Sequence, residues 1–275
     1  MRASARELRR HDVVLYAAGL TFYAAVGLLP TLLIAVRLAS TLLGDGLVRQ
    51  AGDALARFTP SSLGISPGIR HLAAAGTQLG WGAVVAAVLP ASLYSEGYVR
   101  ALDRLAAGER RTRRRGLRGR LLFVPIVVGT TGAVIVGLVL LRALGGGVGR
   151  GLGPRLLGTY LAFLVLWVLA TALLVPLYRE FTLERPQPFA LLWGAAAAAS
   201  WVAGQTLGFV FVLRFINGVG RAYGGSAVAG ALVVAGGLLF LTHLVFLLGF
   251  ELTRQIEARS ATRALTALQR VPVAA

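Results

Sequence analysis

Long apolar windows constrain this chain more than any other feature of its sequence. Windows of about 20 uncharged, mostly apolar residues are long enough to cross the hydrocarbon core of a bilayer as α-helices. Six such windows occur, at residues 13–36, 72–95, 121–141, 156–178, 189–213 and 222–250. Strands of an outer-membrane barrel would be about ten residues long and would alternate in polarity, so these longer, uniformly apolar windows exclude a barrel. The pattern therefore predicts an all-α, polytopic membrane protein, a bundle of six transmembrane helices.

Composition supports this class. The chain of 275 residues is 56% hydrophobic and only 14% charged, yet its net charge is +17. A soluble domain usually carries about 25% charged residues, and here the mean hydropathy is +0.73. Strong basicity and strong hydropathy agree in a polytopic membrane protein with basic loops. Because the chain has no Cys, disulfides, thiol catalysis and Cys-ligated metals are excluded.

The basic residues, all of them Arg, are divided unevenly between the two sides that six spans define. One side carries 19 of the 28, in the N-terminal segment, the loops 100–120 and 179–185, and the tail, and the other side carries nine. The positive-inside rule predicts that both termini are cytoplasmic. We expect a transmembrane domain at residues 1–253 and a cytoplasmic tail at 254–275 that is helical at first and then disordered.

The densest basic run, ERRTRRRGLRGR, lies at residues 109–120 between the second and third windows. Its arginines are Arg110, Arg111, Arg113, Arg114, Arg115, Arg118 and Arg120. Clusters of this kind can bind nucleic-acid phosphates, but a single-stranded RNA site should also contain base-stacking aromatic residues. None lies between Tyr98 and Phe123. We interpret the run as a topology determinant that rests on anionic lipid head groups, and we expect no nucleic-acid partner.

Polar residues inside or at the ends of the predicted spans are candidates for lining a cavity or relaying protons. They are Glu96, His243, Glu251, Gln205, Tyr23 and Tyr223. His243 is expected to sit neutral against another helix, because hydrocarbon penalises its charged form. Glu96 has a simpler interpretation as an interfacial ion pair with Arg100 at i+4, and Glu251 can pair with Arg254 or cap its helix.

Other features predict details of the helix packing. Pro30 and Pro90 should kink the first two helices, and a kink can open a cavity. Thr21, like the other polar groups in the spans, must find a partner within the bundle. Arg37 is expected to snorkel to the outer interface. The long external segment 44–71 is expected to hold a short surface helix near residues 48–58.

Catalytic chemistry is not supported by the sequence. His11, His71 and His243 fall on the inner side, on the outer side and within the sixth window, so they should not converge. No acid stands at a metal-ligand spacing from a His, and no nucleophile motif, phosphate loop or dinucleotide fingerprint is present. Because a hydrolase needs a metal cluster or an acid–base pair, we expect no enzyme, no catalytic residue, no metal and no cofactor.

Three segments, in this order, carry a family resemblance. They are RRHDVVLYAAGLTFYAAVGLLPTLL at residues 9–33, SLYSEGYVRALDRL at 92–105, and RAYGGSAVAGALVVAGGLLFLTHLVFLLGFEL at 221–252. Together they resemble the YihY/virulence factor BrkB family of bacterial inner-membrane proteins. The resemblance covers nearly the whole chain and implies the same six helices in the plasma membrane. The chain departs from the family pattern at Asp103, where Asn is usual, and in REFTLERPQP, where a Pro-Asn turn is usual.

The resemblance implies a fold and a location more firmly than an activity. Some members were once labelled a tRNA-processing ribonuclease, and others are linked to serum resistance or to envelope lipid export. Our leading hypothesis is transport, or assisted export, of an amphiphilic or ionic envelope substrate through a cavity lined by helices one, two, five and six. The alternative is a non-transporting membrane scaffold that recruits partners through the arginine-rich loop. A ribonuclease is the third hypothesis.

Overall fold

A computed structural model describes residues 13–58, 66–106, 152–181, 187–213 and 223–269. These residues form seven α-helices and no strand, which confirms the all-α prediction for the described part of the chain. In chain order the helices are α1 (Val13–Leu43), α2 (Asp45–Phe58), α3 (Ser66–Thr77), α4 (Trp81–Ala106), α5 (Leu152–Phe181), α6 (Pro188–Leu213) and α7 (Ala227–Gln269).

Three of these helices are long and apolar enough to cross a membrane, judged by length and composition. The spans are Val13–Leu43 in α1, Leu156–Arg179 in α5 and Ala229–Ser260 in α7. Large apolar side chains also point away from the bundle: Phe22, Val85 and Trp201 are each about two-thirds exposed. Outward surfaces of this kind suit hydrocarbon better than water. The predicted third window, 121–141, and the arginine-rich loop, 109–120, lie outside the described residues.

The second predicted span differs from the observed helices. Residues 72–95 are divided between α3, which ends at Thr77, and α4, which begins at Trp81. The Thr77 hydroxyl donates back to the Ala74 carbonyl at 2.9 Å, and Arg37 donates to the Thr77 carbonyl at 2.6 Å. This tertiary cap satisfies one of the carbonyls that a helix end leaves free. Hydropathy does not detect a cap supplied by a distant residue, so it predicts one continuous helix over residues 72–95.

The predicted short surface helix is confirmed as α2, although it begins three residues earlier, at Asp45. It follows α1 directly, because Gly44 adopts a φ of +86° and its amide bonds the Ser40 carbonyl at 2.9 Å, a conformation that favours Gly at a helix end. Helices α2 and α3 pack against each other and against the same end of α1. We call them the α2–α3 hairpin.

Helix α7 is longer than its predicted window and begins later. Gly224 and Gly225 take positive φ angles in the turn before it, and the Ser226 hydroxyl accepts a bond from the Ala229 amide at 3.2 Å, as an N-cap does. The helix then runs unbroken to Gln269. The tail is therefore helical over residues 254–269, as its first part was predicted to be, and 270–275 lie outside the described residues.

The bundle is centred on α1, which packs along both α4 and α7. Helix α6 lies between α5 and α7, and α4 also touches α5. Glycines allow two of these close approaches. A Cβ on Gly27 of α1 would lie 2.9 Å from the Tyr94 Cβ of α4, and a Cβ on Gly249 of α7 would lie 2.5 Å from the Ala198 Cβ of α6.

Candidate functional site

His243 lies at the meeting point of three helices and is 1% exposed. Its Nδ1 atom is 3.2 Å from the Thr21 hydroxyl of α1, and its Nε2 atom is 2.9 Å from the Tyr94 hydroxyl of α4. Each of α1, α4 and α7 therefore contributes one polar group. We call His243, Thr21, Tyr94 and the neighbouring Tyr98 the His243 site.

The hydrogen bonds assign a tautomer to the imidazole, whose protons are inferred from the network. The Thr21 hydroxyl already donates to the Ala17 carbonyl at 2.8 Å, so its oxygen is left to accept the proton of Nδ1. The bare Nε2 then accepts the hydroxyl proton of Tyr94. A neutral imidazole thus finds one acceptor and one donor, and the site needs no counter-charge.

Aromatic rings enclose the imidazole. The ring centroids of Tyr94 and Tyr98 each lie 5.7 Å from that of His243, and they are 5.2 Å from each other in an edge-to-face arrangement. Phe246, one turn later on α7, lies 6.5 Å from His243. Such edge contacts are favourable.

A second polar contact joins α6 to α7 beside this site. The side-chain amide of Gln205 donates to the Thr242 hydroxyl at 2.6 Å, and that hydroxyl donates to the Leu238 carbonyl at 2.8 Å. The Gln205 Oε1 atom is buried and has no hydrogen-bond partner in the described part of the chain. A buried acceptor without a donor is costly, so Gln205 is a candidate for contact with a polar ligand.

The chain matches the family model described as virulence factor BrkB over residues 4–272. It belongs to that family. The resemblance carried by the three motif segments is thereby confirmed. A search of curated proteins found no match, and neither did a search of solved structures. Family membership and the membrane-crossing helices together make the chain an integral membrane protein.

In this BrkB-family chain, the three motif segments converge on the His243 site. Thr21 belongs to the first segment, residues 9–33, and Tyr94 and Tyr98 belong to the second, 92–105. His243 belongs to the third, 221–252. The segments that carry the resemblance are far apart in sequence, and the hydrogen bonds of His243 bring one side chain from each together.

The two candidate glutamates lie elsewhere. Glu96 pairs with Arg100 at i+4, which confirms the predicted local ion pair. Glu251 is 8% exposed and accepts from Arg254 Nη1 at 3.2 Å. The same Nη1 donates to the Leu105 carbonyl near the end of α4. The pair of Glu251 and Arg254 therefore ties α7 to α4, about 12 Å along the α7 axis from His243.

The tyrosines named from the sequence are not part of the site. Tyr23 packs its ring on Gly97, where a Cβ would come within 2.6 Å of it. Tyr223 is 41% exposed in the turn before α7. Sequence reasoning missed Tyr94 and Tyr98, although their i, i+4 spacing would have placed both on one face of α4.

The prolines lie inside α1 and α4, and both helices continue through them. A Cβ on Gly27 would lie 3.2 Å from the Pro90 carbonyl oxygen, so the Pro90 turn is packed against the α1 turn that precedes Pro30. The predicted kinks and the cavity stay predictions. Among the described residues, no group of three or more His, Asp or Glu side chains could hold a metal.

Proposed function

We propose that this BrkB-family protein transports, or assists the export of, an amphiphilic or ionic envelope substrate. The His243 site supports the proposal. Polar groups at membrane depth are expensive and commonly mark substrate or proton pathways. A bundle needing only cohesion could fill this position with Leu, whereas here a titratable ring is held between hydroxyls of two other helices.

The expected step at this site is an exchange of hydrogen-bond partners. The Tyr94 and Thr21 hydroxyls can bond a polar group of the substrate when they release His243, and they rejoin the imidazole when the substrate leaves. Such an exchange couples passage to a change in the packing of α1, α4 and α7. Helices α1, α4, α6 and α7 border this region. They correspond to predicted helices one, two, five and six.

The proposed topology has six spans in the bacterial plasma membrane, with both termini in the cytoplasm. The lipid bilayer is the partner it requires, with anionic head groups facing the arginine-rich loop. Because the chain lacks Cys, a single introduced cysteine can show on which side of the membrane its position lies. Gly68→Cys in the α2–α3 hairpin should react with an impermeant maleimide in intact spheroplasts, and Ala258→Cys in α7 should react only after lysis. The reverse pattern would invert the topology.

Reconstitution in liposomes tests transport. Flux of a short-chain fluorescent phospholipid and of monovalent cations should be measured for the unaltered chain, Thr21→Val and Thr206→Val. Both threonines bond a carbonyl four residues earlier in their own helix, at 2.8 Å and 2.7 Å, but Thr21 also bonds His243. We expect Thr21→Val to slow flux about tenfold, because the loss of one hydrogen bond of about 1.4 kcal/mol corresponds to a factor of ten, and Thr206→Val to leave it nearly unchanged.

Two results would contradict the proposal in different ways. Flux that Thr21→Val and Thr206→Val leave equally fast would remove the His243 site from the pathway. No flux of any tested lipid or cation would reject transport and favour the scaffold hypothesis. The scaffold is then tested by pull-down after changing Arg110, Arg111, Arg113, Arg114 and Arg115 to Gln.

A further inference from the structure

Two arginines converge on Thr77, where the end of α1 meets the α2–α3 hairpin. Arg37 of α1 donates through Nη1 to the Thr77 carbonyl at 2.6 Å. Arg49 of α2 has Nη2 3.5 Å from the Thr77 hydroxyl. We call Arg37 and Arg49 the arginine pair. Both guanidinium groups are therefore held against the same residue by uncharged oxygens.

The charge of the arginine pair is not compensated within the described residues. No carboxylate among them lies within 4.0 Å of either guanidinium. The hairpin has two acids that could have served: Asp53 instead pairs with Arg70 at 3.2 Å, and Asp45, four residues before Arg49, makes no ion pair with it among the described residues. Two like charges brought together without a counter-ion repel each other, and an anion placed between them would be attracted by both.

Arg37 is also short of hydrogen-bond acceptors. Its side chain is half-buried, and its Nε atom is fully buried with no acceptor in the described part of the chain. A partly buried guanidinium with an unmet donor is unfavourable. Because Nε is itself inaccessible, an anion would approach through the terminal nitrogens, and its charge would offset the cost of burial.

The surroundings of the arginine pair suit a lipid-like molecule. Arg37 Cζ lies 5.5 Å from the ring centroid of Trp81, a cation–π distance, and Trp81 is 55% exposed. Val85, one turn later on α4, is also exposed. Exposed Trp is typical of the membrane–water interface, and apolar side chains beside a cation can accept an acyl chain.

The position along α1 agrees with the interface. Arg37 follows Val13 by 24 residues, which is about 36 Å along a helix axis. The hydrocarbon core of a bilayer is about 30 Å thick. A helix that enters the membrane near Val13 therefore brings Arg37 to the level of the lipid phosphates on the opposite side.

We infer that the arginine pair, Thr77 and Trp81 form a binding site for the phosphate ester of an anionic amphiphile. The phosphate lies against the two guanidinium groups, and the glycerol and acyl parts lie along Trp81 and Val85. The inference does not depend on transport, because the site lies about 24 Å along α1 from Thr21 and uses no residue of the His243 site.

Trp81 provides a local readout. The full-length protein in neutral detergent is titrated with phosphatidylglycerol or phosphatidylcholine carrying brominated acyl chains, and the fluorescence of a Trp81→Phe variant is subtracted. We expect brominated phosphatidylglycerol to half-quench Trp81 at about one-tenth the concentration that brominated phosphatidylcholine requires. Equal quenching by the two lipids would overturn the inference.

Variants with the same loss of charge separate the site from a general field. Arg37→Gln/Arg49→Gln should raise the half-quenching concentration of phosphatidylglycerol about tenfold, while Arg57→Gln/Arg70→Gln, which removes two other arginines of the hairpin, should change it by less than about twofold. Equal effects would overturn the inference. If the double variant is not monodisperse, Arg49→Gln decides. Within the described ranges its exposed side chain makes only the 3.5 Å contact, and no change in quenching would contradict the site.

Competition identifies the source of the phosphate. Inorganic phosphate and glycerol 3-phosphate should fail to relieve quenching at concentrations where unbrominated phosphatidylglycerol relieves it, because they lack the acyl chains that Trp81 and Val85 contact. Relief by inorganic phosphate at the same concentration as the lipid would reject an amphiphile as the ligand.

Discussion

The His243 site and the arginine pair lie on the same helix, α1, and treat their polar groups in opposite ways. At the His243 site each ring nitrogen has a partner, and the neutral tautomer leaves no charge to balance. At the arginine pair, two cations share Thr77 and the buried Nε of Arg37 has no acceptor. The polar groups of the first site bond one another, whereas at the second no described carboxylate lies within 4.0 Å of either guanidinium, which leaves a place for an external anion.

This difference makes a general prediction for stability. Substitutions at the His243 site should destabilise the protein whether or not anionic lipid is present, because every partner is internal. Substitutions at the arginine pair should instead reduce the stabilisation that anionic lipid gives. Thermal unfolding in neutral detergent, with and without phosphatidylglycerol, measures both the stability of each variant and its gain from the lipid.

The largest effect is expected for His243→Ala. The change leaves a cavity and removes the partner of both Tyr94 and Thr21, which should lower the free energy of unfolding by about 2–4 kcal/mol. Leu241→Ala is the control, because Leu241 is on the same helix but 47% exposed. If the two variants unfold at the same temperature, the His243 site is not the closed network described above.

The second effect is the stabilisation that anionic lipid gives to the unaltered chain. A ligand at 100 times its dissociation constant stabilises by about 2.7 kcal/mol, and phosphatidylglycerol should raise the unfolding temperature accordingly. Arg37→Gln/Arg49→Gln should lose most of this gain, measured against the variant's own unfolding temperature in neutral detergent, which should fall because the Thr77 carbonyl loses its cap. A gain that survives the double substitution would place the lipid elsewhere, for example at the arginine-rich loop.

A third prediction tests whether the hydroxyls act on His243 as a unit. Tyr94→Phe and Thr21→Val should each cost about 1 kcal/mol, the usual net value of one hydrogen bond. Each substitution is then combined with His243→Ala in its own double-mutant cycle. We expect a coupling energy to His243 of about 0.5 kcal/mol or more in both cycles. Thr206→Val, whose hydroxyl bonds only the Val202 carbonyl in the described part of the chain, should show no coupling. Additive energies throughout would argue against the assigned network.

Sequence reasoning was sufficient where the cause of a structure is local. The apolar windows located α5 and α6 within a few residues and the beginnings of α1 and α7 within five, because hydropathy alone determines which stretches can face lipid. The pair of Glu96 and Arg100 was predictable from its i+4 spacing. The break after Thr77 was not, because Arg37 caps that helix from 40 residues away.

The partners of His243 could not be read from sequence for a related reason. They lie 222 and 149 residues away in the chain, and they depend on the rotation of three helices about their own axes. Helix α7 is apolar on nearly all sides, so no polar face indicates which side of it turns toward α1. Gly27, which allows α1 to approach Tyr94 closely, looks in sequence like any other small residue of a span.

The smallest effect is expected for Arg70→Gln, which serves as the control for the variants of the arginine pair. The pair of Arg70 and Asp53 joins α3 to α2 at 3.2 Å, but both side chains are more than half exposed. Exposed ion pairs contribute about 0.2–1 kcal/mol at most, and salt screens them further. The unfolding temperature should hardly change in neutral detergent, and the gain from phosphatidylglycerol should be kept. If Arg70→Gln instead removed that gain, the anion would be held by the hairpin as a whole, and Arg37 and Arg49 would not be distinguished from the other arginines on that side.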